Sequence, residues 1–434
     1  MNPLILTAAV VLGAWQQAPS SDTLIVRAET AFDMALEAAP RLEASRRRTS
    51  AAEALLRQSG AWSNPVLSVT AENLGATRPI SGVAGVQGVE GQAVLSGLLP
   101  VGGDRGAAQA AAGARLLEAR SLEAGTEADL RRTVVGTLAR AARDDERLRR
   151  AREEVDGLEA LASALAAQAD LGRASAGEAA RAHLAMVSAH TVAAEVAGEA
   201  AASREELALL LGLRPGAPLK VELPVCQAQA HGAEAPVAAP TAGRPPDVLA
   251  ASARLQAATA DVSRMRAARV PDLMPQVGVR RAAGISALYL GISMELPFFN
   301  RGSASVQAAL AEEAASTAEL MRVERAVAAQ REAARQGVVA LESVGARYTA
   351  EWAAALDQAV RSAEARYRVG EGTLTELLDG RRARLQALDD YERWRAELFS
   401  RRAELARLSG ETIDASTLCG APLPREPHIS EGRP

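Results

Sequence analysis

The sharpest alternation in the chain is Leu288-Tyr289-Leu290-Gly291-Ile292-Ser293-Met294-Glu295-Leu296, where aliphatic side chains hold every even position. A period of two sends the two sets of residues to opposite faces of a β-strand. Shorter strand-like runs lie at about 66–74, 92–99 and 276–283, so the strands come in two pairs. The rest of the chain has helical spacing. Leu148, Ala151, Val155, Leu158, Ala162, Leu165 and Ala169 step alternately by three and four, which is the seam of helices packed side by side. The pattern predicts a helix over about 29–61, ended by Asn64-Pro65, then a long helix over about 104–171, a tight turn, and a helix to about 211. The second half repeats the order, with helices at about 247–270, 302–369 and 373–408 around strands at 276–283 and 287–296. Asp104 and Asn300 stand where N-caps belong. At about 1.5 Å per residue the long helices would each reach roughly 100 Å, and the two shorter helices of the first half would span that length end to end. The expected shape is a rod or tube.

The repeated order has matching sequence. Pro100-Val101-Gly102-Gly103-Asp104-Arg105-Gly106 recurs as Pro297-Phe298-Phe299-Asn300-Arg301-Gly302, placing Arg105 against Arg301. Gly172 to Glu178 recurs as Gly370 to Glu376, and Leu207 to Gly212 as Leu405 to Gly410. The pattern is that of a tandem duplication: a first repeat over 19–212, an irregular connector over 213–246, a second repeat over 247–410 and an irregular tail over 411–434. Seven of the twenty prolines fall in the connector, which therefore cannot be helical throughout.

Before the first repeat, Leu4 to Trp15 form a short apolar run followed by Gln16, Gln17, Ala18 and Pro19. That length suits the core of a secretory signal peptide over residues 1–18, with cleavage after Ala14 or Ala18, although no Lys or Arg precedes the run. Export would place the two cysteines, Cys226 and Cys419, where a disulfide between them is permitted. Beyond this run no stretch approaches the roughly 18 apolar residues of a membrane-spanning helix. A net charge of −4 argues against a nucleic-acid partner. Aromatics are only 3% of the chain, four each of Phe, Tyr and Trp, and the abundance of alanine favours close helix packing over a bulky globular core. Trp62, Tyr289, Phe298 and Phe299 nevertheless lie beside or within the strand segments.

Four alternating strands of about ten residues have the length and period of membrane-spanning β-strands, with one face to lipid and the other to a wet lumen. Four cannot close a barrel alone, and an open edge in lipid is prohibitive, but several copies of the chain could close one together. Aromatics at strand ends fit the interfacial girdle of such a barrel.

Taken with Trp62-Ser63-Asn64-Pro65, Leu296-Pro297-Phe298-Phe299-Asn300-Arg301-Gly302 and Arg366-Tyr367-Arg368-Val369-Gly370 continuing to Glu376-Leu377-Leu378-Asp379, this order of elements resembles the TolC-type outer-membrane efflux family over essentially the whole mature chain. The Asn-Pro and Pro-Phe-Phe-Asn-Arg-Gly segments are similar to the branch that includes heavy-metal cation exporters. The resemblance implies a mainly α fold with a small transmembrane β part. Four strands per chain close into a twelve-stranded barrel as a homotrimer in outer-membrane lipid, and long helices continue as an α-barrel into the periplasm. It implies an exit duct that works with a periplasmic adaptor protein and an inner-membrane pump. The turns at Gly172–Ser175 and Gly370–Thr373 would form the periplasmic tip, where the family constricts the channel with a tyrosine, an arginine and acids. Those positions are Tyr367, Glu376, Asp379 and, in the first repeat, Glu178; the arginine position is Gly372, so Arg173, Arg366 or Arg368 would have to substitute.

Local chemistry offers a second role for two of these acids. Ser175-x-x-Glu178 and Thr373-x-x-Glu376 are capping boxes, and Gly172 and Gly370 are natural helix-ending glycines. Asp379, one turn further on, has no capping role and is the stronger channel-facing acid. No catalytic constellation or phosphate loop is present in the sequence, and no cofactor is implied. The histidines His183, His190, His231 and His428 are scattered, and the pair His183 and His190 lacks a cysteine to complete a metal site. The competing reading is a soluble periplasmic coiled-coil scaffold, which accounts for the helices but not for paired alternating strands.

Overall fold

The computed structural model describes residues 23–72, 90–223, 243–282, 285–415 and 418. The proposed signal peptide and both cysteines lie outside these residues. In chain order the elements are β1 (Leu24–Val26), α1 (Ala28–Ala38), α2 (Pro40–Ser59), β2 (Val66–Glu72), β3 (Glu90–Ser96), α3 (Asp104–Asp170), α4 (Ala176–Leu210), β4 (Leu219–Val221), α5 (Pro246–Ala267), β5 (Leu273–Ala282), β6 (Ile285–Met294), α6 (Ser303–Gly345), α7 (Ala350–Arg368) and α8 (Leu374–Ser409).

The rod is organised by α3, whose 67 residues run roughly 100 Å. Near its start α3 packs on α2 and α5, joined by ion pairs such as Arg120–Glu53; further along it packs on α4, joined by Arg140–Glu206. The seam of threes and fours is real: Leu148, Val155, Leu158, Ala162 and Leu165 are all buried. The main core lies where α1, the middle of α3 and the ends of α4 and α8 meet, around Phe32, Leu138, Leu207 and Phe399.

Several expectations are corrected. The helix expected over 29–61 is two helices, because Pro40 at the first position of α2 leaves Ala39 extended at ψ 109°. The helix expected over 302–369 breaks at Ala346–Thr349, where Thr349 accepts a hydrogen bond from the Trp352 N–H at 3.2 Å and starts α7 afresh. Asp104 and Asn300 are not the N-caps. Gly103 and Gly302 are, both left-handed, while Asp104 is the first helical residue and Asn300 accepts from the Gly302 N–H at 3.0 Å. The two helix starts therefore align Gly103 with Gly302, and Arg105 lies inside a helix while Arg301 precedes one. The connector is not wholly irregular, since β4 pairs in parallel with β1. In the tail, Ile413 and Leu418 are buried in the main core.

The other four strands form one antiparallel sheet in the order β2-β3-β5-β6, with β2 and β6 as its edges. Register sorts the side chains. Leu67, Leu95, Val277 and Leu290 form one row across the sheet, and Val69, Ala93, Val279 and Leu288 the next. This apolar face is exposed: Leu67 is 65% accessible and Leu290 72%. The opposite face carries Ser96 and Gln276 in one row and Thr70, Gln92 and Arg280 in another, with Glu72 opposite Glu90 at one end, while Arg281 and Ser286 stand in the last row of the apolar face. Here Gln276 donates to Ser293 at 3.2 Å and Tyr289 donates to Gln276 at 3.3 Å. Tyr289 thus belongs to the wet face rather than to an aromatic girdle. Trp62, Phe298 and Phe299 are exposed at the end of the sheet nearest the helices, and the Arg105 guanidinium lies 4.5 Å from the Trp62 ring centroid.

Candidate functional site

Two helical turns make the far end of the rod, and they have the same backbone bonds. After α3, the Gly172 N–H bonds to Ala169 O and the Arg173 and Ala174 N–H groups both bond to Gln168 O. After α7, the Gly370 N–H bonds to Tyr367 O and the Glu371 and Gly372 N–H groups both bond to Arg366 O. Each end turns through a glycine with positive φ, 69° at Gly172 and 79° at Gly370, a conformation that costs a glycine nothing. Each following helix opens with the expected capping box. Glu178 N–H donates to Ser175 Oγ at 3.1 Å while the Glu178 carboxylate accepts from the Ser175 N–H at 3.2 Å. The Thr373–Glu376 pair repeats this at 3.2 and 3.4 Å.

The hairpin of α3 and α4 meets the hairpin of α7 and α8 through an apolar cluster. Leu158, Leu165 and Ala182 pack with Leu374 and Leu378, and Tyr367 packs against them. Burial and the nearby Glu178 carboxylate push the Tyr367 phenol above its usual range. Tyr367 and Glu178 are therefore brought together. Asp379 is not part of this cluster: it is exposed, with Arg382 at 3.4 Å as its ion-pair partner. Glu376 has an ion-pair partner in Arg366 at 3.7 Å, and Arg366 also donates to Glu371 O at 3.2 Å. Of the three arginines considered as substitutes, Arg366 thus pairs within its own hairpin. At Gly372 a Cβ would stand 3.1 Å from Arg366 Cβ and 3.2 Å from Tyr367 N, so a side chain there must displace the turn by a few tenths of an ångström.

His190 and Glu159 are 2.8 Å apart on an exposed face, which accounts for this histidine as a surface pair. Among the described residues no group of three or more His, Cys, Asp or Glu could hold a metal ion. No helix among them is long and apolar enough to cross a membrane.

Residues 241–411 match the model of the outer membrane efflux protein family. The whole architecture matches solved channels. The outer membrane protein VceC of Vibrio cholerae superposes with a TM-score of 0.71 at 19% identity, over 89% of this chain and 97% of that one. The second half of the chain thus carries the sequence pattern of the outer membrane efflux protein family, and the chain as a whole has the fold of these channels. The Campylobacter jejuni CmeC outer membrane channel has a TM-score of 0.68 at 14% identity, over 90% of this chain and 87% of that one. The open state of the Neisseria gonorrhoeae MtrE outer membrane channel has a TM-score of 0.63 at 19% identity, over 92% and 90%. No curated protein matches the chain. The family is one of channels, not of enzymes.

A second seam on α3 was not predicted from the sequence. Beside the apolar seam of α3 runs a charged one, facing α8: Arg147 pairs with Asp389 at 2.7 Å, Arg150 with Glu392 at 3.0 Å and Glu154 with Arg381 at 2.9 Å. Arg150 and Glu392 are both buried, and burial pushes the Glu392 carboxyl up against the pull of Arg150 and Arg395. Its signal was present in the spacing, since residues 143, 147, 150 and 154 are charged and also step by fours and threes.

Proposed function

We propose that the chain is one subunit of a homotrimeric exit duct in the outer membrane, passively conducting substrate that a periplasmic adaptor and an inner-membrane pump deliver. The observation that carries this reading is the four-stranded sheet. It exposes rows of leucine and valine on one face, broken by Arg281 and Ser286 only in the row at the far end, carries most of its polar side chains on the other, and among the described residues leaves an unpaired edge on both β2 and β6. In water such a face and such edges invite aggregation, whereas in lipid the face is matched and the edges must be paired. Three copies pairing β6 of one with β2 of the next close twelve strands, with the polar face as lumen and the helices extending into the periplasm.

The duct reading makes the helical tip its constriction. Asp379 is exposed beyond the capping turn, and three copies around an axis would concentrate cations there. Glu376 and Glu178 have their carboxylates engaged by the caps, and Tyr367 packs at the joint of the two hairpins. Fractionation and planar-bilayer recording test both levels. The protein is expected in detergent extracts of the outer membrane, and recovery from the soluble periplasm would support the scaffold instead. In bilayers the parent protein should favour cations, and Asp379→Asn should lower that preference; an unchanged preference would remove the role assigned to Asp379.

A further inference from the structure

Among the described residues, the apolar face of the four-stranded sheet carries a single charge. Arg281, near the end of β5, lies in the last row of that face, between Gly91 of β3 and Ser286 of β6, with Ala71 of β2 beyond Gly91. Arg281 and Ser286 are both exposed, and Gly91 and Ala71 are too small to cover a guanidinium. Arg280, one residue back, belongs to the row of Thr70 and Gln92 on the opposite face.

Neither the sheet nor the segments that join its strands supply a counter-charge. Among the described residues Arg281 has no ion-pair partner. The carboxylates at this end of the sheet are Glu72 and Glu90, which oppose each other in a row of the polar face. The joining segments add none, since residues 73–89 and 283–284 contain no Asp or Glu and Arg78 is a further base. A second or third copy of the chain brings the same strands and the same segments. Closing a barrel therefore leaves the apolar face without an anion for Arg281.

Depth decides what meets this side chain. Arg281 is four residues along β5 from Val277, whose row holds Leu290. At about 3.3 Å per residue and a tilt near 45°, its Cα stands roughly 9 Å from the midplane, within an apolar half-thickness of about 12 Å. The three methylenes carry the guanidinium on to the headgroup boundary, where a cation is tolerated. Trp62, Phe298 and Phe299 mark the helix end of the sheet, so Arg281 reaches the other leaflet, the outer one. The anions at that boundary are lipid phosphates. A guanidinium takes two phosphate oxygens in parallel, and the Ser286 hydroxyl alongside is a further donor.

We infer that Arg281, with Ser286, binds the phosphate of an outer-leaflet lipid on the outside of the barrel, one lipid per subunit. This rests on the duct reading. The leucine and valine rows between Arg281 and the helix end lie along the acyl chains, so one face of the sheet matches both head and tail.

The test uses the assembled full chain in nanodiscs of phosphatidylcholine doped with lipid A, whose sugar head carries phosphates, or with lipid A stripped of them. Retained lipid is counted by native mass spectrometry after release into detergent. The parent oligomer should retain phosphorylated lipid A in preference to the stripped form. Arg281→Gln should weaken that retention about tenfold, the scale of hydrogen bonds to a charged group. Arg281→Lys keeps the charge without the bidentate geometry and should fall between the two. Arg280→Gln, one residue away on the polar face, is the control and should retain lipid like the parent. Inorganic phosphate in large excess should not displace the lipid; displacement would assign the site to free phosphate and overturn the lipid. If Arg281→Gln fails to assemble, Arg281→Lys decides, and parent-like retention there overturns the inference. So does equal retention of both forms of lipid A by the parent, parent-like retention by assembled Arg281→Gln, or an equal loss in Arg280→Gln. Recovery of the parent from the soluble periplasm overturns the duct reading instead.

Discussion

Leu290→Arg separates a membrane strand from a soluble one by the sign of its effect. Leu290 is sixth of the ten residues of β6 and lies in the row with Leu67, Leu95 and Val277. Ten residues at about 3.3 Å each make a strand of roughly 33 Å, and a tilt near 45° reduces its height to about 23 Å, the apolar thickness of an outer-membrane barrel. Leu290 then faces lipid near the midplane, where an arginine costs about 2–4 kcal/mol, or roughly 6–12 kcal/mol over three subunits. In water the same change replaces a leucine that is 72% exposed, and it should be neutral within about 0.5 kcal/mol while improving solubility. Ser68→Arg is the control, since Ser68 lies in the row of Val94, Gly278 and Tyr289 on the wet face. The assay is recovery of heat-resistant oligomer from outer membranes, followed by urea titration of the purified protein in detergent. The expected result is loss of oligomer for Leu290→Arg and near-parent recovery for Ser68→Arg. Equal tolerance of both substitutions would refute the assignment of the apolar face to lipid.

Further substitutions test the cap and the break between α6 and α7. Glu178→Ala should cost about 0.5–1 kcal/mol by removing half of the capping box, read as faster hydrogen exchange at the start of α4. Ion selectivity should stay put if the glutamate only caps; a shift would assign it to the channel as well. Gly345→Ala places a Cβ against the Trp394 indole, 3.0 Å from Cη2, in a ring cluster where Trp394 also donates to Leu341 O at 2.8 Å. Overpacking should cost about 1–3 kcal/mol, offset by roughly 1 kcal/mol of helix propensity, and an unchanged melting temperature would count against it.

What could be read from the sequence was what local spacing controls. The period of β6, the seam from Leu148 to Leu165 and the glycine-plus-capping-box signature at both tip turns each depend on residues a few positions apart, and each is present in the structure. The break after Gly345 depends on partners far away. Tyr348 packs on Tyr391 and Trp394 of α8, and Trp352 on Tyr391, at centroid distances of 5.1–5.9 Å, and that cluster ends α6 where no proline marks the place. The alignment of Arg105 with Arg301 failed for a related reason: a short motif matched by letters, while the left-handed glycines that begin the helices, Gly103 and Gly302, set the true correspondence. Of the candidate site, the two capping boxes were legible. The partnership of Arg381 was not, because a charged residue on a helix ordinarily reads as part of a solvated face.

The two unusual surfaces of this chain follow one division of labour. On the duct reading, the sheet presents its leucine and valine rows to lipid and most of its polar side chains to the lumen, the reverse of a soluble protein. The rod buries charge for a different reason. Its apolar seam joins α3 to α4 through Leu148 against Val196 and Ala200 and, nearer the tip, to α8 through Leu158 and Leu165, while the buried charged seam joins α3 to α8 between hairpins. Hydrophobic contact supplies most of the cohesion but little directional control, and a buried ion pair adds little net stability but tolerates only one register. Antiparallel helices of 67 and 36 residues, rich in interchangeable alanines, have many nearly equivalent ways to slide past each other. Placing arginine and glutamate at 147, 150 and 154 against Asp389, Glu392 and Arg381 leaves one of them, and that register fixes where the tip turns stand.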